Sequence, residues 1–75
     1  MAIVCQLEKV DLERDSKHTE VNCTYSILTD YSGNKYLQID TYGSASRKFP
    51  GKKSQSIRFT KEALQQLKNI LTSEF

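Results

Sequence analysis

Apolar and polar residues alternate with period two along four stretches of this chain and switch to helical spacing in a fifth. Ile3, Cys5 and Leu7 share one parity, after which the apolar positions move by one to Val10 and Leu12. A single change of phase is what a β-bulge produces, so residues 3–14 are predicted to form one strand bulged near Glu8-Lys9. Polar residues 15–19 make a turn, and a second strand is predicted over 20–30, with Val21, Cys23, Tyr25 and Ile27 on one face. A turn centred between Ser16 and Lys17 sets Leu12 against Val21 and Val10 against Cys23, and beyond the bulge Leu7 against Tyr25 and Cys5 against Ile27.

The next turn is the clearest. A three-residue Ser32-Gly33-Asn34 loop offers residues that tolerate positive φ, as bulged hairpins require. Closing it with Tyr31 opposite Lys35 places Thr29 against Leu37, Ile27 against Ile39 and Tyr25 against Thr41. In this third strand Tyr36, Gln38, Asp40 and Tyr42 face outward. A fourth strand of about six residues turns Ile57 and Phe59 inward and Ser56 and Arg58 outward. Thr60 is a good N-cap, and from Lys61 to about Thr72 the residues Ala63, Leu64, Leu67, Ile70 and Leu71 form one apolar stripe. The prediction is an α+β fold: a four-stranded antiparallel meander, β-β-β-β-α, with one C-terminal helix. All 75 residues belong to a single domain.

Charge adds a direction to this outline. Residues 1–40 hold four basic residues against seven acids, whereas residues 41–75 hold seven against two. Arg47, Lys48, Lys52 and Lys53 fall within seven positions around Phe49-Pro50-Gly51, with no acid among them. A basic half of this kind is the electrostatic footprint of polyanion binding, although a solvated basic surface has the same composition. Outward Tyr36 and Tyr42 beside a basic connection supply the parts of a single-strand platform, with aromatic rings for bases and cations for phosphates. Cross-strand packing of the tyrosines is the plainer alternative, and Asp40 between them counts against the platform. The candidate nucleic-acid-binding set is Arg47, Lys48, Lys52, Lys53, Arg58, Tyr36 and Tyr42.

Other chemistry finds little support. Cys5, Cys23 and the lone His18 are too few soft ligands for structural zinc, and the predicted hairpin keeps both thiols away from the histidine. The same hairpin separates the two cysteines by four residues along the ladder, too far for a disulfide, so buried free thiols are expected. No second carboxylate is tied to Asp40 by spacing. Neither an enzyme activity, a metal nor a cofactor is expected. No stretch approaches the roughly 20 apolar residues of a membrane span, and the N-terminus lacks the pattern of a signal peptide, so a cytoplasmic location is expected. A core this small also suggests a homodimer.

The order of elements, the Pro50-Gly51-Lys52-Lys53 approach to the last strand and the run Ser56-Ile57-Arg58-Phe59-Thr60-Lys61-Glu62-Ala63 resemble the positive cofactor four family of transcriptional coactivators. That resemblance implies a dimer whose curved sheet and basic loops hold single-stranded DNA. The family usually carries a tryptophan, which this chain lacks, and spreads its basic residues over more strands. A tighter textual likeness links Tyr36-Leu37-Gln38-Ile39-Asp40-Thr41-Tyr42-Gly43-Ser44, Arg47, Pro50-Gly51-Lys52 and Ser54-Gln55-Ser56-Ile57 to short uncharacterised bacterial and phage proteins. Both likenesses cover residues 35–71. The second implies a bacterial or mobile-element setting, in which a small protein can instead act as an inhibitor or regulatory subunit on an acidic protein partner.

Overall fold

The computed structural model describes residues 1–43 and 53–75. Four strands, β1 (Ala2–Val4), β2 (Cys23–Thr29), β3 (Lys35–Tyr42) and β4 (Lys53–Thr60), precede one helix, α1 (Lys61–Glu74). They form a single sheet in the order β1-β4-β3-β2. The β2–β3 and β3–β4 pairs are antiparallel, but β1 lies parallel to β4, with Ala2, Ile3 and Val4 beside Ile57, Arg58 and Phe59. The sheet is therefore mixed, and the predicted all-antiparallel meander is corrected on this point.

The cause lies in the first 22 residues. The bulged strand over 3–14 and its hairpin with β2 are absent: the strand stops at Val4, and residues 5–22 contain no strand. The shift of apolar phase near Glu8-Lys9 thus lies beyond the end of β1 and is not a bulge within a strand. Beyond it the chain carries charge at Glu8, Lys9, Asp11, Glu13, Arg14, Asp15 and Lys17, and Val10 and Leu12 stand exposed. On the way Leu7 is held by α1: its N–H donates to Gln66 Oε1 at 2.9 Å, and Gln66 Nε2 donates to its carbonyl at 3.4 Å. Gln66, outside the apolar stripe of the helix, is half-buried by this contact. Both cysteines are free, as expected, but exposed rather than buried, because the hairpin that would have enclosed them does not form.

The β2–β3 hairpin is present with a register two residues from the predicted one, pairing Thr29 with Lys35, Ile27 with Leu37, Tyr25 with Ile39 and Cys23 with Thr41. Asp30 sets this register. Its N–H donates to Asn34 O at 3.0 Å, its carbonyl accepts from Gly33 N at 3.1 Å, and its Oδ1 accepts from Ser32 N and Asn34 N, both at 2.9 Å. The three-residue loop is thus Tyr31-Ser32-Gly33, with Gly33 at φ 87° in the position that needs a left-handed residue. A shift of two preserves parity, so every side chain keeps its predicted face.

Those faces differ sharply. One carries Leu37, Ile39, Ile57 and Phe59, and α1 packs there against β3 and β4. Thr60 caps α1, accepting from Ala63 N at 3.2 Å. Within α1, Ala63 is fully buried and Leu64 and Leu67 are half-buried. The helix does not reach across β2, so Tyr25 and Ile27 remain 72% and 67% exposed. The opposite face bears Tyr36, Gln38 and Asp40 on β3, with Arg58 and Ser56 beside them on β4.

Candidate nucleic-acid interface

A chain of polar contacts runs across the face away from α1. At one end Tyr36 Oη donates to Asp30 Oδ2 at 3.2 Å, and the Arg58 guanidinium lies 5.8 Å from the centroid of the Tyr36 ring. Arg58 Nε and Nη2 both donate to Gln38 Oε1, at 3.1 and 2.7 Å. Gln38 passes the polarity on, its Nε2 donating to Asp40 Oδ1 at 3.0 Å. The same oxygen accepts from Ser56 Oγ at 2.6 Å, and Asp40 Oδ2 pairs with Lys53 Nζ at 3.2 Å. Tyr42 closes the far end through a 2.9 Å hydrogen bond with Thr24 Oγ1.

Register explains why these groups meet. Gln38 lies opposite Arg58 and Asp40 opposite Ser56. Lys53 has the parity of Gln55 and Ile57 and would point to the helix side on a regular strand. The pairing instead shifts between Thr41 and Tyr42, from Thr41 with Gln55 to Tyr42 with Lys53, leaving Ser54 as the extra residue. That bulge turns Lys53 toward Asp40, a common use of bulges where a side chain must be re-aimed.

Although no helix among the described residues lies over them, Gln38 and Asp40 are buried, with Asp40 only 3% exposed. Their neighbours on the sheet shield them, and no buried side-chain nitrogen or oxygen among the described residues lacks a partner. The hydrogen bond from Ser56, followed by those from Gln38 and Lys53, holds the Asp40 carboxyl below its ordinary value against the opposing effect of desolvation. Asp30 is also lowered, chiefly by the Asn34 N–H. Tyr36 is raised, first by desolvation and then by the adjacent Asp30 charge.

Of the seven candidate residues, Tyr36, Tyr42, Lys53 and Arg58 come together on this face. Arg47, Lys48 and Lys52 lie outside the described residues. The alternating pattern did reveal the outward tyrosines and Arg58. It missed that Gln38 and Ser56 are structural partners and that Asp40 is the hub joining both strands. The usable signal was the stripe Gln38-x-Asp40 aligned with Ser56-x-Arg58, since complementary donors and acceptors at alternate positions on paired strands can bond across the ladder. Among the described residues, no three His, Cys, Asp or Glu side chains gather as a metal would need, and no helix is long and apolar enough to cross a membrane. No protein-family model, curated protein or solved structure matches the chain.

Proposed function

We propose that this is a non-catalytic single-stranded nucleic-acid-binding protein, with DNA as its ligand and a role in transcription or replication, working as a cytoplasmic homodimer. One observation carries the reading: α1 occupies only one side of the sheet, so Tyr36, Tyr42, Lys53 and Arg58 share a face that no helix or strand among the described residues covers. Lys53 also begins the strand that follows the basic cluster of Arg47, Lys48 and Lys52, which places that cluster next to it in the chain. Bases would stack on the tyrosine rings while the cations meet phosphates, a mode that needs no sequence readout. The resemblance to the positive cofactor four family points the same way.

The test is fluorescence anisotropy with single- and double-stranded DNA and RNA at two salt concentrations. Single strands should bind best, affinity should fall as salt rises, and the Lys52→Glu, Lys53→Glu double variant should abolish binding. Unchanged binding by that variant would sink the proposal. A second reading draws on one feature: Asp40 already neutralises Lys53, so the sheet face is closer to charge balance than a polyanion surface needs, and its mixed polarity suits a protein partner. In that reading the same face, or the basic loop, engages an acidic protein partner as an inhibitor or regulatory subunit. It predicts no retention on oligonucleotides at physiological salt and recovery of a protein in a pull-down.

A further inference from the structure

β2 is an edge strand with β3 as its one neighbour among the described residues. The contacts Tyr42 N to Asn22 O and Asp30 N to Asn34 O show that even-numbered residues turn their backbone groups toward β3. Cys23, Tyr25, Ile27 and Thr29 therefore aim their N–H and C=O groups away from the sheet. The strand Cys23-Thr24-Tyr25-Ser26-Ile27-Leu28-Thr29 has no charge, no proline and no glycine, so it has none of the usual features that keep exposed edges from pairing. Tyr25 and Ile27, the large side chains on its helix-side face, are mostly exposed.

We infer that a second copy of this chain docks on the β2 edge, antiparallel, about a two-fold axis through Ser26. This centre pairs Tyr25 with Ile27 of the second copy and Cys23 with Thr29 of the second copy, and each such pair exchanges two backbone hydrogen bonds. The aromatic ring meets an aliphatic side chain across the junction, a favourable cross-strand combination. Charge selects this register. Centred on Ser26, Asp30 opposes Asn22 of the second copy, whereas moving the axis to Tyr25 would set Asp30 against Glu20. Moving it to Ile27 would leave Cys23 and Thr24 outside the strand-to-strand overlap. Because the axis stands perpendicular to the sheet, the two polar faces continue on one side and both helices lie on the other. The dimer thus joins two sets of Tyr36, Arg58, Lys53 and Tyr42 into one surface. That consequence deepens the proposed function, while the interface itself does not depend on it.

The experiment reads mass and cross-linking with no nucleic acid present. By sedimentation, the protein should have a mass near twice its 8.6 kDa. In a background of Cys5→Ser and Cys23→Ser, Ser26→Cys should form a disulfide-linked dimer on mild oxidation. The facing Cα atoms of such a non-hydrogen-bonded pair are about 4.5 Å apart, inside the range a disulfide spans. Ser32→Cys, in the hairpin loop, should not cross-link. The double variants Tyr25→Lys, Ile27→Lys and Tyr25→Glu, Ile27→Glu should each be monomeric, and an equimolar mixture should return to dimer. That rescue separates a lost interface from a lost fold. A monomeric mass for the native chain, or both charge variants remaining dimeric, overturns the inference, as does a dimer that Ser26→Cys does not capture. A monomer that still binds single-stranded DNA refutes the interface alone, and a captured dimer that binds no oligonucleotide refutes the nucleic-acid reading alone.

Discussion

At Asp40 the sheet sets one carboxylate against two cations of its own, touching Lys53 directly and reaching Arg58 through Gln38. Any phosphate that approaches Lys53 must compete with that carboxylate. Asp40→Asn keeps the shape and can still accept from Ser56, but it removes the charge. The expected result is tighter single-strand binding with a steeper salt dependence, the slope rising by about 0.7 if one further phosphate contact forms. A slope unchanged from the native protein would mean that removing the Asp40 charge adds no phosphate contact at Lys53. Gly33 offers a cleaner single-residue case. A Cβ built there meets nothing within 4 Å, so only its φ of 87° resists substitution. Gly33→Ala should lose about 1–2 kcal/mol through left-handed strain alone. Gly33→Asn should lose less, because asparagine tolerates that region. Thermal denaturation of the two variants side by side checks both expectations.

Among the elements, what could be read in the sequence was whatever depends on neighbours close along the chain. Thr60 illustrates this: a hydroxyl residue before a helical stripe, found capping Ala63 N. Thr60→Ala should cost about 1 kcal/mol, seen as a lowered thermal midpoint by far-ultraviolet circular dichroism, and Thr60→Ser should restore most of it. The β2–β3 hairpin was also legible, apart from a shift that Asp30 imposes by accepting two backbone N–H groups. β1 was not. The strand ends after three residues although the alternation runs on through Cys5 and Leu7, and its partners Ile57, Arg58 and Phe59 lie more than 50 positions away in the sequence. A pattern of period two shows that a segment can lie in a sheet, but it does not identify the strand beside it. The apolar agreement of the imagined hairpin, Leu12 with Val21 and Val10 with Cys23, was thus a coincidence of parity. The candidate site fared similarly. Parity showed which residues share the face, whereas the bulge that brings Lys53 to Asp40 left no mark in the sequence.

For the molecule as a whole, the polar face ties stability to pH from both directions. Asp30 and Asp40 are held below the ordinary 3.8 by the hydrogen bonds they accept, so folding favours their ionised forms. Their contribution is complete above the range in which unfolded carboxylates titrate, and it disappears as pH falls through the lowered folded values. Tyr36 behaves in the opposite sense. Desolvation and the Asp30 charge raise it above 10.0, so folding favours the neutral phenol. Its contribution is complete below the unfolded value and is lost as pH rises through the raised one. Chemical denaturation followed across pH should therefore give a plateau that drops at both ends. Asp40→Asn should flatten the acid limb and leave the alkaline one in place. Asp30→Asn should change both, because the Asp30 carboxylate caps the hairpin turn and also raises Tyr36. Tyr36→Phe should flatten the alkaline limb and weaken the acid one slightly, because it removes one of the hydrogen bonds that hold Asp30 low. Equal effects of Asp30→Asn and Asp40→Asn on the alkaline limb would contradict the arrangement in which Asp30, rather than Asp40, bonds to Tyr36.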